Sequence, residues 1–436
     1  MKKRLQIFLL FISLVLLIPY AKADIFAYVP DHVGVDNQHG KLHVVNTSYG
    51  VKVESIELFG NPRDVLINKT GDTVFVTTEL EELGEEKSFL NIIDTSNNTQ
   101  NNPLEIPGSF ARGMVMTNDE SKLFVTHDRG VSVFNPYSVS PSMQLIETDF
   151  RGASLVITED EQYLFVIGTN RNGVDGVSLV SLNSPANVEV TSLSLGLGKD
   201  SATGVYLADE NKLFVANRGE DAYELVVLEV DNYETPESAS LIQIGIHKFS
   251  EGAAPSDILY HKENNELLVS LSYIVDEKTT TANGYIAVLN ASDTTKETNS
   301  GLSKIFLSDE GGTENRFPPI HPTSISLDEF GGIHVVKHIW NDLSGLYLSK
   351  LKDSTKNGIR SVTEKSSLKL GNQSATLSNG TFIGPDCSAC PTGLDYDPND
   401  NLVRPSSITT STLCLFIMLL VTRLGKRNVG KVNSIR

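Results

Sequence analysis

Short apolar runs recur along the chain, and most of them end in polar or turn-forming residues. The run "LFVANRG" (213–219) has relatives that read "VFVTTE", "LFVTHDRG", "LFVIGTNRNG", "LLVSLSY" and "IHVVKHIW", at 74–79, 123–130, 164–173, 267–273 and 333–340. Runs of this length, rich in Val, Ile, Leu and Phe and bounded by turn residues, predict β-strands.

Each run is the second strand of a predicted hairpin. An alternating apolar segment and a polar turn precede it, as in "ATGVYLADENKLFV" (202–215). Copies of this hairpin lie at 61–76, 110–125, 152–166, 202–215, 254–269, 321–335 and 390–403. A third strand recurs at 41–50, 89–97, 131–138, 176–184, 224–232, 284–292 and 345–353, each followed by a further apolar stretch such as 51–60. The repeated unit therefore has four strands.

Seven such units predict a closed ring. A lone four-stranded sheet buries little surface, whereas sheets stacked around an axis bury both faces and leave only short edges. The sequence therefore predicts an all-β fold, a seven-bladed β-propeller of four-stranded antiparallel blades, forming one domain over 24–404. Strands from both ends of the chain are predicted to close the last blade, with 392–398 as its innermost strand and 25–30 and 41–50 beside it.

The runs "LFVANRG", "LFVTHDRG" and "VFVTTE" resemble the YVTN-type repeat of secreted seven-bladed propellers, which is similar in turn to the lactonase-like propellers. The resemblance covers nearly all of 24–404 and implies the seven-bladed fold. It also implies a relation to sugar-lactone hydrolases, although no catalytic motif of that family can be matched residue by residue. Trp340 is the single tryptophan, which excludes WD-type and tryptophan-motif blades.

The N-terminal segment is typical of a secretory signal peptide. Residues 1–23 have a basic head, the apolar run "IFLLFISLVLLI" and an Ala-Lys-Ala site, so the mature chain is expected to begin near Asp24. The alternative is an uncleaved signal anchor.

The C-terminal segment predicts a membrane or sorting helix. Residues 405–422 join a Ser/Thr-rich lead to "LCLFIMLLVT", and 423–436 form a basic tail expected in the cytoplasm. The alternative is a buried terminal strand. Together the two ends predict an exported protein of the bacterial cell envelope, periplasmic or surface-exposed, that contacts the membrane through its C-terminal helix.

The body between these ends is strongly acidic. The chain has 36 Lys and Arg against 54 Asp and Glu, and nine of the basic residues lie in the two ends, which contain no acid. The body thus has 27 basic residues against 54 acidic ones, a formal charge of −27. Such a surface repels polyanions, so no nucleic-acid partner is predicted.

The arginines of this acidic body are clustered. In a four-stranded blade, the loop after the second strand and the loop before the next blade's first strand open on the same end of the ring. Seven of the body's nine arginines fall in or beside these loops: Arg63, Arg112, Arg129, Arg151, Arg171, Arg218 and Arg316. Because Arg binds carboxylate and phosphate in a bidentate way, the sequence predicts a basic funnel for an anionic ligand.

The alternative is that these arginines serve the structure. They could bind loop carbonyls or pair with neighbouring acids such as Asp64, Asp128 and Asp221, which would cancel the field.

Other candidate residues carry weaker signals. His127, His321, His334 and His338 are possible ligands or bases, and His127 and His321 are the two expected on the funnel loops, as candidates for a catalytic base. Cys387 and Cys390 form a C-x-x-C without the haem-attachment histidine, so a local disulfide is predicted. The acids near Asp395 lack the Gly and Glu of a calcium loop, and neither a metal site nor a cofactor is predicted.

Two functions remain from the sequence alone. The first is a non-enzymatic binding or scaffold module of the envelope, whose partner is an anionic small molecule, a glycan or a protein. The second is a lactonase-like hydrolase in which funnel arginines hold the anionic group of a sugar lactone and a histidine activates water.

Overall fold

Within the residues that the structure describes, the regular elements are β-strands apart from three single-turn 3₁₀ segments, Ala208–Glu210, Pro236–Ser238 and Lys262–Asn264. The computed structural model describes residues 25–31, 39–82, 85–138, 141–183, 188–197, 201–219, 223–249, 253–273, 284–292, 303–306, 320–327, 332–339, 345–356, 359–371, 382–383, 394–396 and 403–405. In this part of the chain the strands form seven antiparallel sheets and one separate hairpin. The predicted seven-bladed β-propeller is confirmed.

The N-terminal strands belong to the closing blade, and the next strands form blades 1 and 2. The closing blade begins with β1 (Phe26–Asp31), β2 (Lys41–Asn46) and β3 (Val51–Glu57). Blade 1 has β4 (Asn61–Ile67), β5 (Thr73–Glu82), β6 (Glu85–Asp94), β7 (Thr99–Gln100) and β8 (Leu104–Ile106), the last two both pairing with β6. Blade 2 has β9 (Met114–Met116), β10 (Leu123–His127), β11 (Gly130–Phe134) and β12 (Gln144–Ile146).

Blades 3 to 6 repeat the four-stranded order. Blade 3 has β13 (Arg151–Ile157), β14 (Tyr163–Thr169), β15 (Val174–Ser181) and β16 (Val188–Leu197). Blade 4 has β17 (Ser201–Leu207), β18 (Lys212–Asn217), β19 (Glu224–Asp231) and β20 (Ser240–Lys248). Blade 5 has β21 (Ala253–His261), β22 (Glu266–Tyr273), β23 (Tyr285–Asn290) and β24 (Ser303–Phe306). Blade 6 has β25 (Ile320–Leu327), β26 (Ile333–Ile339), β27 (Gly345–Lys356) and β28 (Ile359–Gly371).

The closing blade combines strands from both ends of the chain, as predicted, but its C-terminal strand is not the segment that was predicted. The innermost strand is β29 (Phe382–Ile383), which pairs with β1, so the prediction of 392–398 was wrong. The segment chosen from the sequence instead forms its own hairpin, β30 (Leu394–Tyr396) with β31 (Val403–Pro405). Two short strands that pair with each other satisfy their backbone hydrogen bonds locally, so they need not join a blade.

The recurring "x-Phe-Val" run is explained by packing between blades. In β18, Phe214 belongs to the hydrophobic cluster shared with blade 5, while Leu213 and Val215 belong to the cluster shared with blade 3. Successive side chains of a strand point to opposite faces, and here both faces meet another blade. Every residue of β10 is buried for the same reason, whereas in the outer strand β3 only Ile56 is buried and the other residues are exposed or half-buried.

The ring closes through its core and its inner strands. Within the described residues, one hydrophobic cluster spans each pair of neighbouring blades, including the closing blade with blade 6 and with blade 1. The inner strands also contact one another in sequence, and β29 contacts both β25 and β4. Removing one blade would therefore expose two apolar faces.

Hydrogen bonds to carboxylates join some inner strands to the inner strand of the next blade. Asp64 Oδ2 accepts the backbone N–H of Met114 at 2.8 Å, and Asp257 Oδ2 accepts that of Ile325 at 2.9 Å. Desolvation raises the pKa of Asp64 to about 7 and that of Asp257 to about 6, although each side chain keeps part of its surface accessible. Gly113 occupies the matching place in blade 2, where a Cβ would lie 2.7 Å from Ser154 Cα.

The predicted ends of the chain cannot be compared with the structure. Residues 1–23, 405–422 and 423–436 lie outside the described residues, apart from Pro405 at the end of β31. Among the described residues, no helix has the length and apolar character needed to cross a bilayer.

Candidate functional site

Five arginines line one cavity at the end of the ring where the predicted loops meet. The cavity has a volume of about 550 Å³ and lies against the loops of blades 2, 3 and 4. Its arginines are Arg112, Arg129, Arg151, Arg171 and Arg218. The other lining residues are Phe110, Asp128, Gly152, Ala153, Thr169, Asn170 and Ser201. Residues more than 100 positions apart in the chain thus share one opening, which we call the arginine cavity.

Local backbone structure positions these side chains. Arg151 opens β13 beside a β-bulge, and the following Gly152 has φ +92° and donates its N–H to Thr126 Oγ1 at 3.0 Å. Arg171 lies in a turn in which Asn170 Oδ1 accepts the N–H groups of Asn172 and Val174, at 2.9 and 3.0 Å. An Asx turn of this kind fixes the loop without using the neighbouring guanidinium.

The cavity has a surplus of positive charge. Within the described part of the chain, neither Arg129 nor Arg171 has a carboxylate within 4.0 Å, and the guanidinium of Arg151 donates to the backbone carbonyl of Asp128. Asp128 is the carboxylate among the lining residues, and its Oδ1 accepts the N–H of Ser109 at 2.9 Å. The lining residues thus include five guanidinium groups and one carboxylate, and because Arg112 also lies near Glu79, the local positive potential comes mainly from Arg129, Arg151 and Arg171.

A second cavity adjoins the first and has a different charge. It has a volume of about 380 Å³ and shares Arg129, Arg151 and Arg171, but Glu147, Asp149 and Glu189 line its other side. Glu189 accepts the N–H of Asp149 at 2.9 Å, and desolvation raises the pKa of its carboxyl group. The positive potential is therefore strongest on the side of the arginine cavity.

Arg63 forms an ion pair within the fold, as expected if the arginines serve the structure. Its Nε and Nη2 lie 2.7 and 2.6 Å from Glu79 Oε2, and it does not line the arginine cavity. Arg112 Nε lies 3.9 Å from the other oxygen of Glu79. Desolvation raises the pKa of Glu79, and the two guanidinium groups oppose that shift. Asp64 and Asp128, the described acids named as partners from the sequence, accept backbone N–H groups instead.

His127 lies behind the cavity wall. Its side chain has no exposed surface, Nδ1 accepts the N–H of Arg129 at 3.2 Å, and Nε2 lies 2.9 Å from Ser132 Oγ. Because Nδ1 accepts, Nε2 carries the proton and donates it. Desolvation lowers the pKa of His127 to about 4, so the ring is neutral at neutral pH. In this arrangement His127 holds the turn that presents Arg129 and has no free nitrogen to act as a base.

Several predicted site residues cannot be placed. Arg316, Cys387 and Cys390 lie outside the described residues. The backbone of His321 lies in β25 opposite His338, but its side chain also lies outside the described part. Among the described residues, no group of three His, Cys, Asp or Glu side chains is arranged to hold a metal ion.

The sequence did not point to Phe110, Asn170 or Ser201 as lining residues. Phe110 begins the apolar-looking segment "FARGMVM" and was interpreted as part of a strand, whereas β9 begins only at Met114. Asn170 could have been found, because Asn before Arg and Gly is a turn signal. Ser201 has no sequence signal of its own.

Comparison with known proteins supports the fold alone. No protein-family model and no curated protein matches the chain. A candidate 6-phosphogluconolactonase from Bacteroides uniformis has a TM-score of 0.57 at 10% identity, covering 83% of this chain and 100% of that chain. A candidate 6-phosphogluconolactonase from Bacteroides fragilis has a TM-score of 0.56 at 13% identity, over 84% and 99%. A protein from Lactobacillus plantarum has a TM-score of 0.56 at 12% identity, over 83% and 99%. The chain thus has the fold of lactonase-like propellers.

Proposed function

We propose that this protein is a binding module whose arginine cavity holds a small anion with more than one negative charge. The observation that carries the proposal is the pair Arg129 and Arg171, which line the cavity and have no carboxylate partner within the described residues. An unpaired guanidinium in a concave site is ready to form bidentate hydrogen bonds with phosphate or carboxylate. The volume of about 550 Å³ suits a small molecule better than a protein loop or an extended glycan.

Calorimetric titration with pyrophosphate, citrate and inorganic phosphate tests the proposal. We expect pyrophosphate and citrate to bind more tightly than inorganic phosphate, which carries less negative charge, and binding to weaken as NaCl is added because salt screens these contacts. Replacing Arg129 and Arg171 by Gln should weaken binding about ten- to a hundredfold for each arginine, since hydrogen bonds to charged groups contribute about 1.5–3 kcal/mol.

A matched control separates the cavity from the overall charge. Lys69 and Lys262 are exposed residues of first hairpin turns, at the opposite end of the ring. Replacing both by Gln changes the net charge by the same amount as the arginine double variant and should leave binding unchanged. If none of the three anions binds at millimolar concentration, or if the arginine variant binds as well as the natural protein, the proposal is wrong.

A lactonase-like hydrolase is the second candidate. Its support is the fold shared with two candidate 6-phosphogluconolactonases, together with a cavity suited to an anionic substrate. Since both nitrogens of His127 are engaged, Asp128 is the described lining residue able to orient a water molecule. Hydrolysis of 6-phosphogluconolactone above the spontaneous rate, lost in Asp128→Asn but not in the lysine control, would favour this candidate over pure binding.

The cellular setting is part of the proposal. The signal-like segment 1–23 and the apolar segment 405–422 support an exported propeller that is tethered to the membrane and faces the envelope space. A ligand-binding end on such a module would meet small anions outside the cytoplasm.

A further inference from the structure

Phe110 lines the arginine cavity in a conformation that Phe seldom adopts. Its φ is +59°, in the left-handed region, and its side chain is 41% exposed. A bulky side chain with this backbone is strained, because Cβ crowds the adjacent carbonyl oxygen. Such strain persists where the surrounding structure enforces it, and it is concentrated at ligand-binding sites.

Elsewhere in the described residues the chain meets the same demand with other residues. At the corresponding ends of two other inner strands, the chain has Gly60 at φ +90°, just before β4, and Gly152 at φ +92°, beside the bulge of β13. The other described non-glycine residues with positive φ are polar: Asn98, Glu120, Glu161, Asn211, Asn232 and Asn265. A Gly or Asn at position 110 would remove most of the strain, so the benefit of Phe must come from its ring.

Packing inside the protein does not supply that benefit. Phe110 belongs to none of the hydrophobic clusters of the described residues, although its neighbour Ala111 does. Its ring also has no aromatic partner among them. Much of the ring is therefore available to a molecule in the arginine cavity.

We infer that Phe110 is a stacking surface, and that the ligand of this site carries a planar aromatic ring joined to its anionic group. The inference rests on the proposed anion-binding function and names the chemical class of its ligand. The anionic part contacts Arg129 and Arg171, while the ring lies against the face of Phe110. Guanidinium planes also stack on aromatic rings, so a flat ring gains from both kinds of wall in one cavity.

Three phosphate monoesters of similar charge test the inference by calorimetric titration: methyl, cyclohexyl and phenyl phosphate. We expect phenyl phosphate to bind about five to ten times more tightly than methyl phosphate, the range that one aromatic contact supplies. Cyclohexyl phosphate, which offers a comparable apolar surface without a planar ring, should bind less tightly than phenyl phosphate.

Variants at position 110 assign the effect to the ring. Phe110→Asn suits the left-handed backbone, so it should fold and should lose the preference for phenyl phosphate over methyl phosphate. Phe110→Tyr keeps the ring and should keep the preference. Tyr49 is 67% exposed but does not line the cavity, so Tyr49→Asn should change nothing.

The outcomes separate this inference from the function on which it rests. If no phosphate ester binds, the anion-binding proposal fails first. If methyl phosphate binds and the arginine variant abolishes it, but phenyl phosphate binds no better, only the aromatic inference is wrong. Equal binding of cyclohexyl and phenyl phosphate, or a preference that survives in Phe110→Asn, also overturns it.

Discussion

Replacing His127 by Asn should make the protein less stable at neutral pH and less sensitive to acid. In the natural protein the buried ring donates to Ser132 Oγ at 2.9 Å and accepts the N–H of Arg129 at 3.2 Å. Asn can still accept the N–H of Arg129 but is too short to reach Ser132. Loss of one buried hydrogen bond should cost about 1–3 kcal/mol at pH 7.5.

The pH dependence follows from the lowered pKa of the ring. Desolvation holds the pKa of folded His127 at about 4, against 6.5 in the unfolded chain. Because the unfolded chain binds the proton first, the stability due to neutral His127 is complete above pH 6.5 and is lost as the pH falls towards 4. At pH 5, about 1.5 pH units below 6.5, the loss is about 2 kcal/mol at 1.36 kcal/mol per unit.

Other groups titrate in the same range with the opposite sign. The raised pKa values of Asp64 and Asp257 make the folded protein gain stability as the pH falls below about 7. The measurement is therefore a difference: urea unfolding followed by circular dichroism, for both proteins, at pH 7.5 and pH 5. The destabilisation by His127→Asn should be about 2 kcal/mol smaller at pH 5. A destabilisation independent of pH would refute the assignment of a neutral, buried ring.

Four further outcomes are expected. Phe214→Ala should lower the free energy of unfolding by about 3–5 kcal/mol, measured by urea unfolding, because its fully buried ring fills the interface of blades 4 and 5. Gly113→Ala should lower the melting temperature by a few degrees, since the new methyl meets backbone. Asp160→Ala, which removes three hydrogen bonds to Asp160 Oδ1, should lower the melting temperature, whereas Arg171→Gln should not. Deleting 405–436 should move the protein from the membrane pellet to the soluble envelope fraction; if it stays in the pellet, the anchor proposal is wrong.

The fold could be predicted because the repeat records which side chains face which blade. In "LFV" the Leu and Val pack on the preceding blade and the Phe on the following one, so a single short run specifies both interfaces of its sheet. The same rule failed at the closing blade. Both 382–383 and 394–396 are short segments that contain apolar residues, and the sequence alone did not show that the second would pair with 403–405.

The candidate site was predictable as far as strand order determines it. Arg129, Arg151 and Arg171 meet because the loops that carry them open on one end of the ring. The ion pair of Arg63 was not predicted, since its partner Glu79 lies 16 residues away in the chain and comes close only through the pairing of β5 with β4. Phe110 was missed because a strained backbone leaves no trace in the pattern of apolar residues.

The two ends of the ring use charge in different ways, and this difference supports the cavity as the candidate site. At the hairpin-turn end, Asp119 and Asp160 each accept hydrogen bonds from a Thr hydroxyl and a backbone N–H of their own turn. Glu120 accepts the N–H of Lys69 from the turn of blade 1. These bonds hold the pKa of Asp119 at about 2 and keep that of Asp160 below its usual range. The acids at that end therefore stabilise turns.

At the cavity end Arg129 and Arg171 form no described ion pair and hold no turn through their guanidinium groups. Charge that does not stabilise the fold is available to a ligand, and this is the reason we propose that an acidic protein binds an anion at one end.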